Sequence, residues 1–352
     1  MGRRGKDRGM EKYFHLLEKR ICFICFTGNT CYYPFRQEEI KIPSEAKELH
    51  GVMNVIPSYR ADPSSGYRHL STRFESQYGA LWLILDPKPL PCISLELIDE
   101  LRRFQEGLTQ TFKEYGPGEH PIRYFIAASK SPGVFNFGGD LSLFARCIEE
   151  RDADTLREYA RGCIETLYPY IIGFDLPVTT ISLVQGDALG GGFEIALAGN
   201  ILIAERSAKM GFPEVLFNLF PGMGAYNLLS RRIGIQRTEQ MLLNGKMYRA
   251  EELHAEGMVD ILAEDGRGEN AVYEFIVRNE NRGNAREAIH RVRRWLFPLA
   301  IEELLDVTDI WVDTAMRVGP REIRLMQRLA RSQGKLSRRD PIALVPLRGK
   351  SA

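Results

Sequence analysis

Little in this sequence points to a membrane, a secretory route or a nucleic acid. The 352 residues carry a formal net charge of +1, which is too close to neutral to favour nucleic acid or an anionic membrane as the main partner. No apolar run reaches the roughly 18 residues that a membrane-spanning helix needs. The basic segment at residues 1–20 lacks the apolar stretch and the small-residue cleavage site of a secretory signal. These absences predict a cytoplasmic protein.

Patterns for metal binding are also scarce. The six cysteines include one CxxC, formed by Cys22 and Cys25 in ICFICF, with Cys31 nearby. No second CxxC or histidine pair supplies the remaining ligands of a zinc site. We therefore interpret these cysteines as buried apolar thiols and expect no bound metal.

The common motifs for nucleophilic catalysis and nucleotide binding are missing as well. GxSxG is absent, and none of the six histidines lies in a recognisable triad context. GxxxxGK[ST] and a GxGxxG that follows a strand are absent too. A catalyst built from this sequence would have to use other groups.

The composition changes along the chain and predicts an α/β core between two dissimilar ends. Residues 1–75 are rich in charge and in turn-forming residues without a sustained period, and we interpret them as an N-terminal extension. Residues 76–280 alternate apolar strand-like runs with amphipathic stretches, which favours a mostly parallel sheet. Residues 281–335 are predicted to be helical, and residues 336–352 form a basic tail.

Two glycine-rich turns stand where a strand is predicted to end and a helix to begin. In ALGGGFEIAL the triplet at 190–192 precedes a short helix, whose first N–H groups lack intrahelical partners. In GVFNFGGDLSLF, Gly138 and Gly139 occupy the same kind of position, before the helix-capping Asp140. One backbone donor from each turn would polarise a thioester or ester carbonyl. Tight turns with close packing are the alternative.

Two carboxylates lie in apolar surroundings near these turns. Glu194 falls in the first turns of the short helix, and Glu214 follows Pro213 among aromatic and aliphatic residues. A carboxyl resists ionising in such surroundings, and two that share a pocket separate their pKa values, leaving one as acid and the other as base. Alternatively, Glu194 simply meets the helix dipole and Glu214 faces water.

Taken together, the two turns and the two glutamates resemble the crotonase superfamily, the enoyl-CoA hydratase and isomerase fold. The segments that look most like the diffusible signal factor synthases, bacterial enzymes that make cis-2-unsaturated fatty acid signals, are FNFGGDLSLF, GDALGGGFEIALAGNILIAERSAKMGFPEVLFNLFPGMGAYNLLSRRIG and LLDVTDIWVDTAMRVGP. The resemblance covers residues 76–335. It implies an α/β fold, a spiral of ββα units followed by a C-terminal helical region.

The resemblance also implies roles for individual residues. The backbone N–H groups of Phe137 and Gly191 would form the oxyanion hole. Glu194 and Glu214 would be the catalytic acids. Their implied substrate is a 3-hydroxyacyl thioester, carried by acyl carrier protein or by CoA, and no cofactor is expected.

The implied reaction is dehydration to a cis-2-enoyl thioester, followed by hydrolysis to a free unsaturated fatty acid. The polarised carbonyl lowers the cost of forming an enolate at C2. One glutamate removes the C2 proton and the other protonates the departing hydroxyl. Gly138, Gly190 and Trp311 would lie at the acyl pocket, although Trp311 is equally compatible with a plain core tryptophan.

Alternative functions and several partners stay open from the sequence alone. The chain could be an enoyl-CoA hydratase or isomerase acting on acyl-CoA, a non-catalytic acyl-thioester-binding protein, or an RNA-binding protein that uses its basic C-terminal region. The family implies a homotrimer or hexamer whose C-terminal helices cover a neighbour's active site. Some signal synthases are also held inactive by a receiver-domain protein.

Overall fold

The computed structural model describes residues 66–113, 115 and 121–336, all of which belong to the same unit of the chain. The predicted thiols Cys22, Cys25 and Cys31 lie outside the described residues, as does nearly all of the basic tail. The predicted extension at 1–75 is described only from residue 66. Its last residues, Leu70–Glu75, form the first strand, so the sheet begins inside the predicted extension.

Ten strands occur in the described ranges, and each is short. They are β1 (Leu70–Glu75), β2 (Ala80–Leu85), β3 (Tyr124–Ser129), β4 (Val134–Asn136), β5 (Thr179–Val184), β6 (Asp187–Leu189), β7 (Ile201–Glu205), β8 (Lys209–Gly211), β9 (Met247–Arg249) and β10 (Ile261–Ala263). The main sheet has the order β1-β2-β3-β5-β7-β10, and a second sheet has the order β4-β6-β8-β9. The main sheet is parallel except for the antiparallel pair β1–β2.

Eleven α-helices occur in the same ranges. They are α1 (Leu95–Lys113), α2 (Leu141–Glu150), α3 (Ala153–Ile171), α4 (Gly191–Ala198), α5 (Ala225–Ile233), α6 (Ile235–Asn244), α7 (Ala250–Ala255), α8 (Gly268–Arg278), α9 (Gly283–Leu296), α10 (Ile301–Ala315) and α11 (Pro320–Leu336). Short 3₁₀ helices span Gly173–Asp175, Pro213–Phe217 and Glu280–Arg282. None of the helices in these ranges is both long and apolar enough to cross a membrane.

The central strands of the main sheet are covered on both faces, which explains why their residues are mostly apolar. Every residue of β5 and of β7 is buried, as expected for parallel strands with helices on both sides. Along β2, Leu81 and Leu83 join the larger core with α1 and α3, whereas Trp82 joins a smaller core with α8. Side-chain alternation along each strand therefore supplies two cores from one sheet.

The second sheet places three turns side by side. A strand of the main sheet is followed each time by a strand of the second sheet: β3 by β4, β5 by β6, and β7 by β8. Strands β4, β6 and β8 run parallel and adjacent, so the segments that follow them emerge at one edge. This is the expected spiral of ββα units. The three segments begin α2, α4 and the 3₁₀ helix at Pro213.

The C-terminal helices fold back on the same chain. Helix α10 packs against α3, and α11 packs against α2. Asp309 of α10 forms ion pairs with Arg157, at 3.2 Å, and with Arg161 of α3. Helices α10 and α11 therefore pack on the core of their own chain. That the C-terminal helices also cover a neighbour's site stays a prediction. Sequence periodicity predicts an amphipathic helix but not the surface on which it packs.

Candidate active site

The first turn, between β4 and α2, is held by backbone and side-chain hydrogen bonds. The Gly138 N–H donates to Asn136 Oδ1 at 2.7 Å, and Gly138 has a φ of +83°. A Cβ atom on Gly139 would lie 2.3 Å from Phe144 Cζ, so only glycine fits there without rearrangement. Asp140 then caps α2 by accepting hydrogen bonds from two N–H groups of its first turn. These contacts fix the path of the backbone through residue 139.

The second turn, between β6 and α4, packs directly against the first. Gly190 has a φ of +52°, and its N–H donates to Gly211 O at 2.9 Å. Gly191 is the first residue of α4, a position whose N–H has no intrahelical acceptor. A Cβ atom on Gly191 would lie 3.5 Å from the Gly139 N. The two turns therefore bring the backbones of Gly139 and Gly191 together.

The structure corrects one of the two predicted oxyanion donors. The Phe137 N–H donates to Pro91 O at 2.7 Å, so this amide is already bonded within the fold. No acceptor for the Gly139 N–H is found among the described residues, and Gly139 lines the cavity described below. The available pair is Gly139 and Gly191. The hydrogen bond joins Phe137 to Pro91, 46 positions earlier in the chain. Local sequence patterns do not predict a contact between residues so far apart.

Glu194 is buried and hydrogen-bonded. Its side chain is 2% exposed, and its Oε1 accepts hydrogen bonds from the Met223 N–H at 2.7 Å and the Ala225 N–H at 2.8 Å. Burial raises the pKa of this carboxyl to about 7, although the two N–H donors lower it. The Glu194 carboxyl is therefore a much weaker acid than an exposed glutamate.

Glu214 lies at the start of the 3₁₀ helix, against the second turn. A Cβ atom on Gly190 would lie 2.1 Å from Glu214 Oε1, so the missing side chain of the glycine makes room for the carboxyl. Its Oε2 is buried without a hydrogen-bond partner. Burial, and after it the charge of Glu194, raise the pKa of Glu214 to about 8. The two glutamates are thus electrostatically coupled, with Glu214 the more weakly acidic.

An apolar cavity of about 250 Å³ connects these groups. Both glutamates line it, together with Gly139, Gly190 and Gly191. Helices α2, α3, α10 and α11 contribute to its walls through side chains that include Leu141, Phe144, Ala160, Trp311 and Leu329. Apart from the two acids, few polar groups face it. The cavity suits a hydrocarbon chain attached to a group that reacts at the two turns.

Trp311 and Gly138, which the sequence analysis places at the acyl pocket, both have structural roles. Trp311 is 5% exposed. Its ring meets that of Phe144 edge-on, with centroids 5.0 Å apart, and Gly222 has no side chain that would collide with it. Trp311 thus belongs to the core and to the cavity wall at once. Gly138 is absent from the cavity lining and shapes the turn, since a Cβ there would lie 2.7 Å from Leu189 O.

The raised pKa values predict a pH-dependent stability. In the folded protein both carboxyls bind protons more tightly than a glutamate with the ordinary pKa of 4.5 does. Their contribution is therefore fully favourable below that value and is lost as the pH rises through about 7 and 8. We expect Glu214→Gln to be more stable than the parent protein at about pH 9, by on the order of 2 kcal/mol, but not at about pH 5. Urea unfolding at both pH values measures this, and an equal difference at both would contradict it.

Metal ligands are not assembled in the part of the chain that the structure describes. No group of three or more His, Cys, Asp or Glu side chains there is placed to hold a metal ion. The cysteine that lines the cavity, Cys163, has its pKa raised to about 12 by burial. It is a neutral thiol rather than a thiolate nucleophile.

Comparisons with known proteins identify the family. Residues 83–274 match the family model described as enoyl-CoA hydratase/isomerase. The chain is 31% identical over 159 residues to the fatty acid oxidation complex subunit alpha of Aliivibrio fischeri, which covers 45% of this chain and 22% of that protein. It is 32% identical over 152 residues to the mitochondrial methylglutaconyl-CoA hydratase of Homo sapiens, covering 43% of each. The chain therefore matches less than half the length of these curated relatives.

Solved structures share the fold. An enoyl-CoA hydratase from Bacillus halodurans superimposes with a TM-score of 0.61 at 24% identity, over 74% of this chain and 99% of that one. DspI of Pseudomonas aeruginosa superimposes with a TM-score of 0.54 at 22% identity, over 70% of this chain and 95% of that one. The family match spans more than half of the sequence and contains both glycine turns and both glutamates. This chain belongs to the enoyl-CoA hydratase/isomerase family, within the crotonase superfamily.

Proposed function

We propose that this protein dehydrates a 3-hydroxyacyl thioester on acyl carrier protein to a cis-2-enoyl thioester and hydrolyses that product to a free unsaturated fatty acid. One observation carries the proposal. The Gly139 and Gly191 N–H groups have no hydrogen-bond acceptor among the described residues, and both glycines line one apolar cavity together with two buried carboxyls. The similarity of the quoted segments to the diffusible signal factor synthases supports the finer assignment.

The first step uses the two amides. The carbonyl oxygen of the thioester accepts hydrogen bonds from the Gly139 and Gly191 N–H groups. Negative charge that develops on this oxygen is stabilised there, which makes the C2 proton easier to remove. Because the donors belong to tightly packed backbone turns, they need no reorganisation during the reaction.

The second step uses the two glutamates as a pair that shares one proton. With pKa values of about 7 and about 8, the singly protonated pair is most populated between these values. The ionised member removes the C2 proton, and the protonated member gives its proton to the departing 3-hydroxyl. Water and the 2-enoyl thioester are the products. Glu194 is favoured as the ionised member before the reaction, because its carboxylate accepts two backbone N–H hydrogen bonds whereas Glu214 Oε2 has no partner among the described residues.

The third step hydrolyses the thioester at the same carbonyl. A carboxylate of the pair activates a water molecule, the polarised carbonyl is attacked, and the thiol of the carrier leaves with the proton. A covalent enzyme intermediate is not needed. The thiol of Cys163 is protonated, and the Tyr159 hydroxyl donates to Ile93 O at 2.6 Å, which leaves neither as an activated nucleophile.

The proposal is tested by incubating the purified protein with 3-hydroxyacyl thioesters of several lengths on acyl carrier protein and on CoA. Mass spectrometry of the products and a colorimetric assay of released thiol are read together. We expect free cis-2-enoic acid and stoichiometric thiol from the carrier protein substrates. Formation of a 2-enoyl thioester without thiol release, on CoA alone, would establish the second candidate, an enoyl-CoA hydratase, which the family match favours. No turnover of any substrate would overturn both.

Helix α9 supports the further proposal that the protein is a homotrimer or hexamer. The helix and the residue after it expose a patch of large apolar side chains, with Trp295 80% exposed. Its other members are Ile289, Val292, Leu296 and Phe297. Contiguous exposed apolar surface of this kind marks a protein interface. A receiver-domain regulator stays a prediction.

The apolar patch on α9 gives a direct test of assembly. We expect Trp295→Asp to shift the protein from an oligomer toward the 40.1 kDa monomer, because a charge would be buried without a partner. Gln110→Asp adds the same charge at an exposed position of α1, a different helix, and serves as the control. Light scattering after size exclusion measures both masses. A monomeric parent protein, or an unchanged mass for Trp295→Asp, would contradict the assignment.

A further inference from the structure

A second, smaller cavity lies directly behind the first. It has a volume of about 50 Å³ and lies between the main sheet and helices α1 and α3. Ile93, Cys163 and Met223 line both cavities and therefore form the wall between them. Beyond the wall, the lining includes Leu97, Phe104, Phe125 and Ala127. The interior of the larger core thus continues the catalytic cavity.

The lining of the second cavity suits a hydrocarbon chain. Its polar side chains bond elsewhere: Gln105 donates to Thr166 O at 2.6 Å, and the Tyr170 hydroxyl pairs with Ser182 Oγ at 3.0 Å. Among the described residues, no buried side-chain nitrogen or oxygen that lines it lacks a partner. A water molecule there would find too few polar groups to bind. An apolar occupant would instead restore the packing contacts that an empty space loses.

The wall contains a residue that can move without disturbing the catalytic groups. The backbone N–H of Met223 is held by Glu194, so its main chain is fixed. Its side chain is unbranched, and methionine readily adopts alternative rotamers. The neighbouring Cys163 is a small residue in a buried position. A rotation of the Met223 side chain would therefore widen the passage while the Glu194 contacts persist.

We propose that the second cavity receives the terminal methylene and methyl groups of a long acyl chain, and that Met223 and Cys163 admit them. This inference rests on the proposed function, because it concerns the same acyl thioester. A volume of 50 Å³ accommodates about two methylene-sized groups. Chains that reach it gain roughly fourfold in transition-state binding for each methylene they bury, so about 15-fold for two. The cavity thereby sets the upper limit of the preferred chain length.

Filling the cavity from its far side tests the proposal. Ala127 of β3 lines only the second cavity, so Ala127→Val occupies it and leaves the catalytic cavity intact. The matched control is Ala128→Val, the same change at the next residue of β3, which faces the smaller core on the other side of the sheet. The kcat/KM is measured for a series of 3-hydroxyacyl thioesters that differ by two carbons.

We expect Ala127→Val to lower kcat/KM about 15-fold for chains that reach the second cavity and to leave shorter chains unchanged. Ala128→Val is expected to affect all lengths equally. Cys163→Ala, which thins the wall, should shift the optimum toward longer chains. An unchanged length profile for Ala127→Val, with the parent protein active, would overturn the inference alone.

A binding experiment separates this inference from the proposed function. Saturated acyl thioethers of CoA cannot be dehydrated or hydrolysed, and their dissociation constants are measured by calorimetry for the same variants. If no substrate is turned over but Ala127→Val still weakens only the long thioethers, the function is wrong and the cavity assignment stands. If neither turnover nor length-dependent binding occurs, both are wrong.

Discussion

Replacing either buried glutamate by glutamine is expected to lower kcat/KM for dehydration by about 10³-fold. Glutamine has nearly the same shape, so Glu194→Gln retains an oxygen that can accept from the Met223 and Ala225 N–H groups. It can no longer take up or deliver a proton. Because the two acids act as one proton-sharing pair, the double variant should be little worse than either single variant.

The pH profile shows whether these acids carry the reaction. For the parent protein we expect a bell-shaped kcat/KM with limbs near 7 and 8, the values of Glu194 and Glu214. The residual activity of either variant should lose one of the two limbs. Glu205→Gln provides the control, since Glu205 is 5% exposed but accepts hydrogen bonds from Gly268 and Gln185 away from the cavity. Near-normal turnover by Glu194→Gln would refute the mechanism.

Removing the amide hydrogen of Gly191 is expected to lower kcat by between about 10² and 10³. Proline has no N–H and is well tolerated at the first position of a helix, which is where Gly191 lies. Gly191→Pro therefore deletes the proposed donor at a position that the helix accepts. The substrate loses the hydrogen bond that strengthens as the enolate forms, so kcat should fall more than KM rises.

Gly191→Ala is the matched control for the proline variant. Alanine keeps the N–H but adds a Cβ atom, which would lie 3.2 Å from Ile93 Cδ1 and 3.3 Å from Gly138 Cα. Both variants add a Cβ atom, so the activity ratio of the alanine to the proline variant removes the steric effect of that atom from the comparison. Equal activities in the two variants would show that this amide does not touch the reacting oxygen. Circular dichroism of both variants confirms that the fold is retained.

The sequence predicts those parts of the structure that depend on local physics. The apolar runs of β5 and β7 are buried strands, because a parallel sheet covered on both faces leaves no polar side. Asp152 separates α2 from α3, because its side chain accepts from the Thr155 N–H and caps α3. Asp140 caps α2 in the same way. These features need only neighbouring residues and are therefore visible in a single sequence.

Features that depend on distant contacts were harder to predict. Strand β1 has only two large apolar residues, and its pairing with β2 decides its conformation. Phe137 was predicted to be an oxyanion donor, but its N–H donates to the carbonyl oxygen of Pro91. The N–H group of Gly139, which lines the cavity, is available instead. The packing of α10 on α3 and of α11 on α2 was also not predicted. In each case, long-range packing selects among local conformations that the sequence permits equally well.

Helix α11 contributes to the cavity wall but follows the candidate site residues by more than a hundred positions of the chain. Four residues of the candidate site come first along the chain: Gly139, Gly191, Glu194 and Glu214. The lining residues Leu329, Ser332 and Gln333 belong to the last described helix. During synthesis these four residues are therefore made well before the helix that shields them from water. Substitutions confined to the final helix would therefore change the cavity wall without replacing any of these four residues.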